Sequence, residues 1–178
     1  MRNIMLVDDE VNVLHALQRA LKRNFFDEPV HIEIHTDPWQ GLERAGERTF
    51  DLVVSDYRMP LMTGVEFLKS FREVQPDTAR LMLSASTEFD AVMSAVNEAV
   101  VFRYITKPWT ESDLWETVQQ ALSQRDHLLE NQRLADEKRA EQGMITPQEL
   151  EARRLEALEP GITKVNRGPD GGVILGEL

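Results

Sequence analysis

The sequence predicts an α/β fold built on a doubly wound, five-stranded parallel sheet, followed by a long helix and a small tail of one helix plus a β-hairpin. Three observations carry this. Short apolar runs recur along residues 1–110, and several end on a charged or hydroxyl residue. Segments with helical spacing of apolar residues separate them. Such alternation implies right-handed crossovers and a parallel sheet with helices on both faces.

The elements follow in order. Residues 4–7 (IMLV) form a buried strand that ends at Asp8. Val11, Leu14, Leu17, Ala20 and Leu21 recur at helical spacing. Residues 30–34 alternate, with Ile32 and Ile34 on one side. Asp37 before Pro38 is an N-cap with proline at the first helical position, and Leu42 and Ala45 continue that helix. Residues 52–54 (LVV) are a strand ending at Ser55-Asp56. Val65, Leu68 and Phe71 mark a third helix, and residues 81–83 a strand ending at Ser84. Ala91, Val92, Ala95 and Val96 mark a fourth helix. Tyr104 and Ile105 lie in the last strand, ending at Thr106-Lys107-Pro108.

The next helix starts near Glu111, with Leu114, Val118, Ala121 and Leu122 as its apolar stripe. No Pro or Gly interrupts it before Gly143, so it would be about 48 Å long. Its second half is polar, with Leu128, Leu129, Leu134 and Ala135 as the available seam residues. A solvated helical linker and a short dimeric coiled coil both fit residues 123–143. Residues 144–178 form an appendage. Thr146-Pro147-Gln148-Glu149 is a capping box opening a helix that Pro160-Gly161 stops, and residues 162–165 and 173–175 read as strands around a turn-rich NRGPDGG. The expected division is 1–122, 123–143 and 144–178.

Composition narrows the function. No apolar run approaches the roughly 20 residues of a membrane span, and the acidic N-terminus does not suit a secretory leader. There is no cysteine, hence no disulfide or thiolate metal site, which is compatible with a cytoplasmic location. A net charge of −11 without a basic patch argues against direct nucleic-acid binding. His15, His31, His35 and His127 show no metal-ligand spacing.

Ligands of open α/β sheets bind outside the carboxyl ends of the strands. Asp8 and Asp9, Asp56, Ser84 and Lys107 stand at four such ends. Three clustered carboxylates repel unless a cation lies among them, and oxygen ligands with waters suit magnesium. A carboxylate can be the nucleophile that forms an acyl phosphate, while a lysine and a hydroxyl stabilise the phosphoryl oxygens. The constellation is that of phosphoryl transfer.

These motifs resemble the receiver domain of two-component response regulators, a CheY-like, flavodoxin-like fold. The matching pieces are LVDDE at 6–10, SDYRMP with Gly64 at 55–64, LSAS at 83–86 and FRYITKPW at 102–109, within residues 3–122. The resemblance implies Asp56 as phosphoacceptor. It implies magnesium held by Asp8, Asp9, Asp56 and the backbone carbonyl of Arg58, with Asp9 favoured over Asp8 as direct ligand. Ser84 and Lys107 would contact the phosphoryl group, Ser84 and Tyr104 would be the switch pair, and the Lys107-Pro108 bond would be cis. The expected partner is a sensor histidine kinase or phosphotransfer protein, with a homodimer through the long helix as a further expectation and no membrane association.

Each residue also has a structural reading. Asp8 or Asp9 could cap the first helix, Ser84 could be a polar strand end, Tyr104 a static aromatic and Lys107 a surface lysine. Met59 and Met62 would pack the loop after Asp56, and Trp109 and Trp115 the start of the long helix. Two other functions compete. A haloacid-dehalogenase-like phosphatase would use an aspartate nucleophile with magnesium, but from a D-x-D pattern at its first strand, where this chain has Asp8-Asp9-Glu10. A docking scaffold independent of phosphorylation would not need all five site residues. No output-domain signature follows the receiver-like region.

Overall fold

The computed structural model describes residues 1–26, 29–85, 101–158 and 162. Five strands form one sheet: β1 (Arg2–Val7), β2 (Val30–His35), β3 (Leu52–Asp56), β4 (Ala79–Ala85) and β5 (Arg103–Lys107). Their order is β2-β1-β3-β4-β5 and every pairing is parallel. The helices are α1 (Val11–Asn24), α2 (Pro38–Glu47), α3 (Gly64–Val74), α4 (Glu111–Glu141) and α5 (Pro147–Leu158). The helix expected around residues 91–96 lies outside the described residues. So do the chain stop at 160–161 and the expected strands at 163–165 and 173–175, while Ile162 is in a turn rather than a strand.

Alternation along the strands explains the double winding. Ile4, Leu6, Leu52, Val54, Leu81 and Leu83 face one way, against Leu14, Leu17 and Leu21 of α1 and Leu114 and Val118 of α4. Met5, Val7, Val53 and Met82 face the other way, against Phe67, Leu68 and Phe71 of α3 and Ala45 of α2. Central strands buried on both faces must be apolar at every position, hence the unbroken runs in the sequence. The chain order reverses between β1 and β3, and a crevice forms at such a switch point.

Buried Gln75 ties three elements together. Its amide nitrogen donates to the carbonyls of Ala45 and Arg48, and its oxygen accepts from the Phe50 N–H and the Thr78 hydroxyl. At the sheet edge, Glu33 accepts hydrogen bonds from Arg44 at 2.8 and 3.2 Å and from Arg48 at 3.4 Å, with His31 at 3.0 Å. The Arg44 hydrogen bonds, opposed by burial and helped by His31, lower the Glu33 carboxyl from 4.5 to about 2. A lowered carboxylate adds stability above its ordinary value, and that stability is lost as pH falls through the lowered one. Glu33→Gln should therefore cost about 1 kcal/mol at pH 7, after allowance for solvent screening at this edge. Acid unfolding of the variant should show a smaller loss of stability between 4.5 and about 2 than the parent shows. Equal slopes in urea titrations across that range would contradict this.

The chain divides into two compact units, Met1–Glu130 and Asn131–Leu178. In the second, Asp136 pairs with Arg139 at 3.0 Å and with Arg153 at 2.5 Å, and Glu137 pairs with Arg133 and Arg154. The Thr146–Glu149 capping box opens α5 as the sequence predicts. Among the described residues no helix is long and apolar enough to cross a membrane.

Candidate functional site

Parallel strands bring their carboxyl ends to one edge. Asp8 follows β1, Asp56 closes β3 and Lys107 closes β5. The Lys107 ammonium lies 2.8 Å from Asp8 Oδ2 and 2.5 Å from Asp56 Oδ1. Asp8 is 0% exposed and Asp56 6%. The remaining oxygens are also engaged. Asp8 Oδ1 accepts from the Glu10 N–H at 2.8 Å, and Asp56 Oδ2 from the Arg58 N–H at 2.7 Å. Asp8 thus orders the loop and does not cap α1, whose N-cap is Glu10.

The backbone under Asp56 is equally constrained. The Tyr57 N–H donates to the Leu83 carbonyl, and the Gly64 N–H to the Tyr57 carbonyl, both at 2.8 Å. A Cβ on Gly64 would stand 2.1 Å from the Asp56 carbonyl oxygen, so the start of α3 can approach only without a side chain. Thr63 and Glu66 fix that start by a reciprocal capping box, whose T-x-x-E pattern is present in the sequence.

Burial raises the Asp56 carboxyl above its ordinary 3.8, and the charge of Asp8 adds to this, while Lys107 and the Arg58 N–H oppose it. Burial alone would lower Lys107, but its hydrogen bonds to Asp56 and Asp8 prevail and hold it above 10.5. Two buried carboxylates share one ammonium here, which leaves a negative charge in excess.

The other expected residues fall into place around this trio. Asp9 is exposed beside Asp8. Ser84 is buried one position beyond Leu83, the register partner of Asp56, and its hydroxyl donates to the Ala85 carbonyl at 3.1 Å. Tyr104 is half-buried on β5 and lines a cavity of about 400 Å³ with Arg103, Thr106, Trp109 and Asp113. The Lys107-Pro108 bond is cis. Met59 is buried, and Met62 packs partly against the same cluster. Trp109 and Trp115 pack partly against the core under α4.

The donor set consists of carboxylate and carbonyl oxygens, as a small hard divalent cation requires. Among the described residues no three His, Asp or Glu side chains are grouped so as to hold a metal ion by themselves. A cation that keeps several waters and takes one or two carboxylates fits what is present, and the excess negative charge favours it.

The response regulator receiver domain matches residues 4–119 of the chain. This chain belongs to that family. As a receiver it has well-matched relatives. The hydrogenase transcriptional regulatory protein HoxA of Bradyrhizobium diazoefficiens is 40% identical over 119 residues, 67% of this chain and 24% of that protein. HoxA of Cupriavidus necator is 34% identical over the same shares. The chain therefore matches about a quarter of the length of these relatives. Among solved structures, an uncharacterised protein from Neptuniibacter caesariensis is 34% identical with a TM-score of 0.68, over 73% of this chain and 93% of that one. The signal receiver domain of an HD domain-containing protein from Pseudomonas fluorescens Pf-5 is 29% identical with a TM-score of 0.65, over 72% and 92%. The receiver belongs to two-component signalling, and the phosphatase reading is not favoured.

Proposed function

We propose that this receiver accepts a phosphoryl group on Asp56 from a histidine kinase or phosphotransfer protein. The observation that carries the reading is the Lys107 ammonium shared by Asp56 and Asp8 at the switch point of the sheet. A carboxylate oxygen of Asp56 attacks phosphorus, the new O–P bond forms, and the bond from phosphorus to the donor's imidazole nitrogen breaks. The donor leaves with the electron pair of that bond. Lys107 neutralises the phosphoryl oxygens, and the Ser84 hydroxyl donates to them. Asp8, Asp9, Asp56 and the Arg58 carbonyl would hold magnesium, which supplies further charge neutralisation when bound. The engagement of both Asp8 oxygens by protein donors supports Asp9 as the direct ligand. The added charge then shifts Ser84 and Tyr104 together and biases the surface around β5 and α4.

The whole protein's output belongs to the same proposal. HoxA is named as a transcriptional regulator, and this chain carries the receiver portion of such an architecture. The proposed location is cytoplasmic. A homodimer through α4 remains part of this reading, tested by light scattering with and without beryllofluoride. The decisive experiment incubates the protein with acetyl phosphate and magnesium, then traps the acyl phosphate with hydroxylamine and maps the modified peptide. One modification at Asp56 is expected. A modification elsewhere overturns the assignment. No modification favours a docking scaffold, and steady release of phosphate from an ester favours a phosphatase.

A further inference from the structure

The apolar stripe of α4 ends at Leu122, the last of its residues in the core. One turn further, the helix is held by charge. Arg2 at the start of β1 makes a two-pronged pair with Asp126, at 3.0 and 2.5 Å. Arg125 reaches Asp51 Oδ1 at 2.9 Å and donates from Nε to the Asp77 carbonyl at 3.0 Å. Arg2 also lies 3.7 Å from Asp51.

Asp51 is itself embedded in the sheet. Its Oδ2 accepts from the Asn3 N–H at 2.7 Å. Its backbone donates to the Asn3 carbonyl at 2.8 Å and accepts from the Ala79 N–H at 3.0 Å. The starts of β1, β3 and β4 therefore meet at one residue, and its carboxylate holds the helix. The cluster lies at the amino ends of the strands, opposite the edge that carries Asp56. Apolar packing tolerates small slides of one element along another, whereas a two-pronged guanidinium–carboxylate pair fixes both distance and rotation.

We infer that Arg2, Asp51, Arg125 and Asp126 form an ionic anchor that fixes the register of α4 against the sheet beyond its hydrophobic contact. The anchor makes residues 123–130 part of the receiver unit and ties the helix to the sheet one turn beyond its apolar stripe. Its pairs are partly sheltered, so the hold weakens as salt rises but does not vanish. Its role as the fixed end of a signalling helix rests on the phosphoacceptor reading. The anchor itself does not.

The test follows amide hydrogen exchange in residues 111–122 and 123–130, with Asp56 phosphorylation by acetyl phosphate as a separate readout. Arg2→Asp and Asp126→Arg, each alone, should speed exchange in 123–130 about ten-fold and leave 111–122 nearly unchanged. The combined swap should restore the protection. Phosphoryl uptake should be the same in all four proteins. In the parent, a step from low to high salt should loosen 123–130 selectively, which requires no variant to fold. Unchanged exchange in the single variants, failure of the swap to restore it, or equal loosening of 111–122 would overturn the anchor. Absence of phosphoryl uptake in every protein, the parent included, would overturn the phosphoacceptor reading and leave the anchor intact.

Discussion

At neutral pH and without magnesium, Asp56→Asn is expected to take up no phosphoryl group and to be more stable than the parent by about 1 kcal/mol. The loss of uptake follows from the nucleophile, because an amide cannot form the acyl phosphate. The gain in stability follows from the charge balance. The folded state holds the Asp56 carboxyl above 3.8, mainly by burial and then through Asp8. A group raised on folding favours the fold only in its protonated form, and that contribution is lost as pH rises through the raised value. At pH 7 the ionised carboxylate therefore works against the fold. Asparagine removes the charge, can still accept from the Arg58 N–H, and leaves Lys107 paired with Asp8. Urea titration of both proteins measures the difference. On the proposed magnesium site, the ion should narrow the gap, because binding would stabilise the native parent and the variant would lack one proposed ligand. A variant less stable than the parent in the absence of magnesium would show that Lys107 more than compensates the burial.

Gly64→Ala is expected to destabilise the protein by about 3 kcal/mol and to slow phosphoryl uptake about 100-fold. The methyl group would lie 2.1 Å from the Asp56 carbonyl oxygen and 3.1 Å from the Tyr57 Cα. Both neighbours are backbone and cannot rotate away. Either α3 withdraws, breaking the Gly64 to Tyr57 hydrogen bond, or the end of β3 shifts and carries Asp56 with it. Gly46→Ala is the control. A Cβ there meets nothing within 4 Å, so in a helix it should raise stability by about 0.5 kcal/mol. Denaturant midpoints and acetyl phosphate kinetics on both variants check the pair. Normal uptake in Gly64→Ala would mean that the strand end tolerates the displacement.

Much of the site was legible because strand ends in a parallel sheet are legible. Each apolar run stops where the backbone reaches the edge, so Asp8, Asp56 and Lys107 could be placed together from the sequence. The Asp37-Pro38 and Thr146-Glu149 helix starts were legible for a local reason, since cap and first turn are adjacent in the chain. Gly64 could be noted as part of a motif, but its reason is a contact across eight residues that appears only when β3 and α3 are packed. Gln75 carries no signal of its role in the sequence. Its four partners come from residues 45, 48, 50 and 78, and no periodicity marks such a convergence.

The sequence by itself determined the parallel α/β class, the identity of the acidic and basic residues at the strand ends, and the length of α4, because hydrophobic period and helix breakers are local properties of the chain. Tertiary structure decided which of those groups touch. Lys107 was expected to face a phosphoryl group, and in the folded chain it lies between Asp8 and Asp56. The apolar stripe of the helix ends at Leu122, and ions from residues 2 and 51 hold it one turn further. Pairings across such separations depend on the assembled sheet, because only its register brings the ends of distant segments within reach of one another.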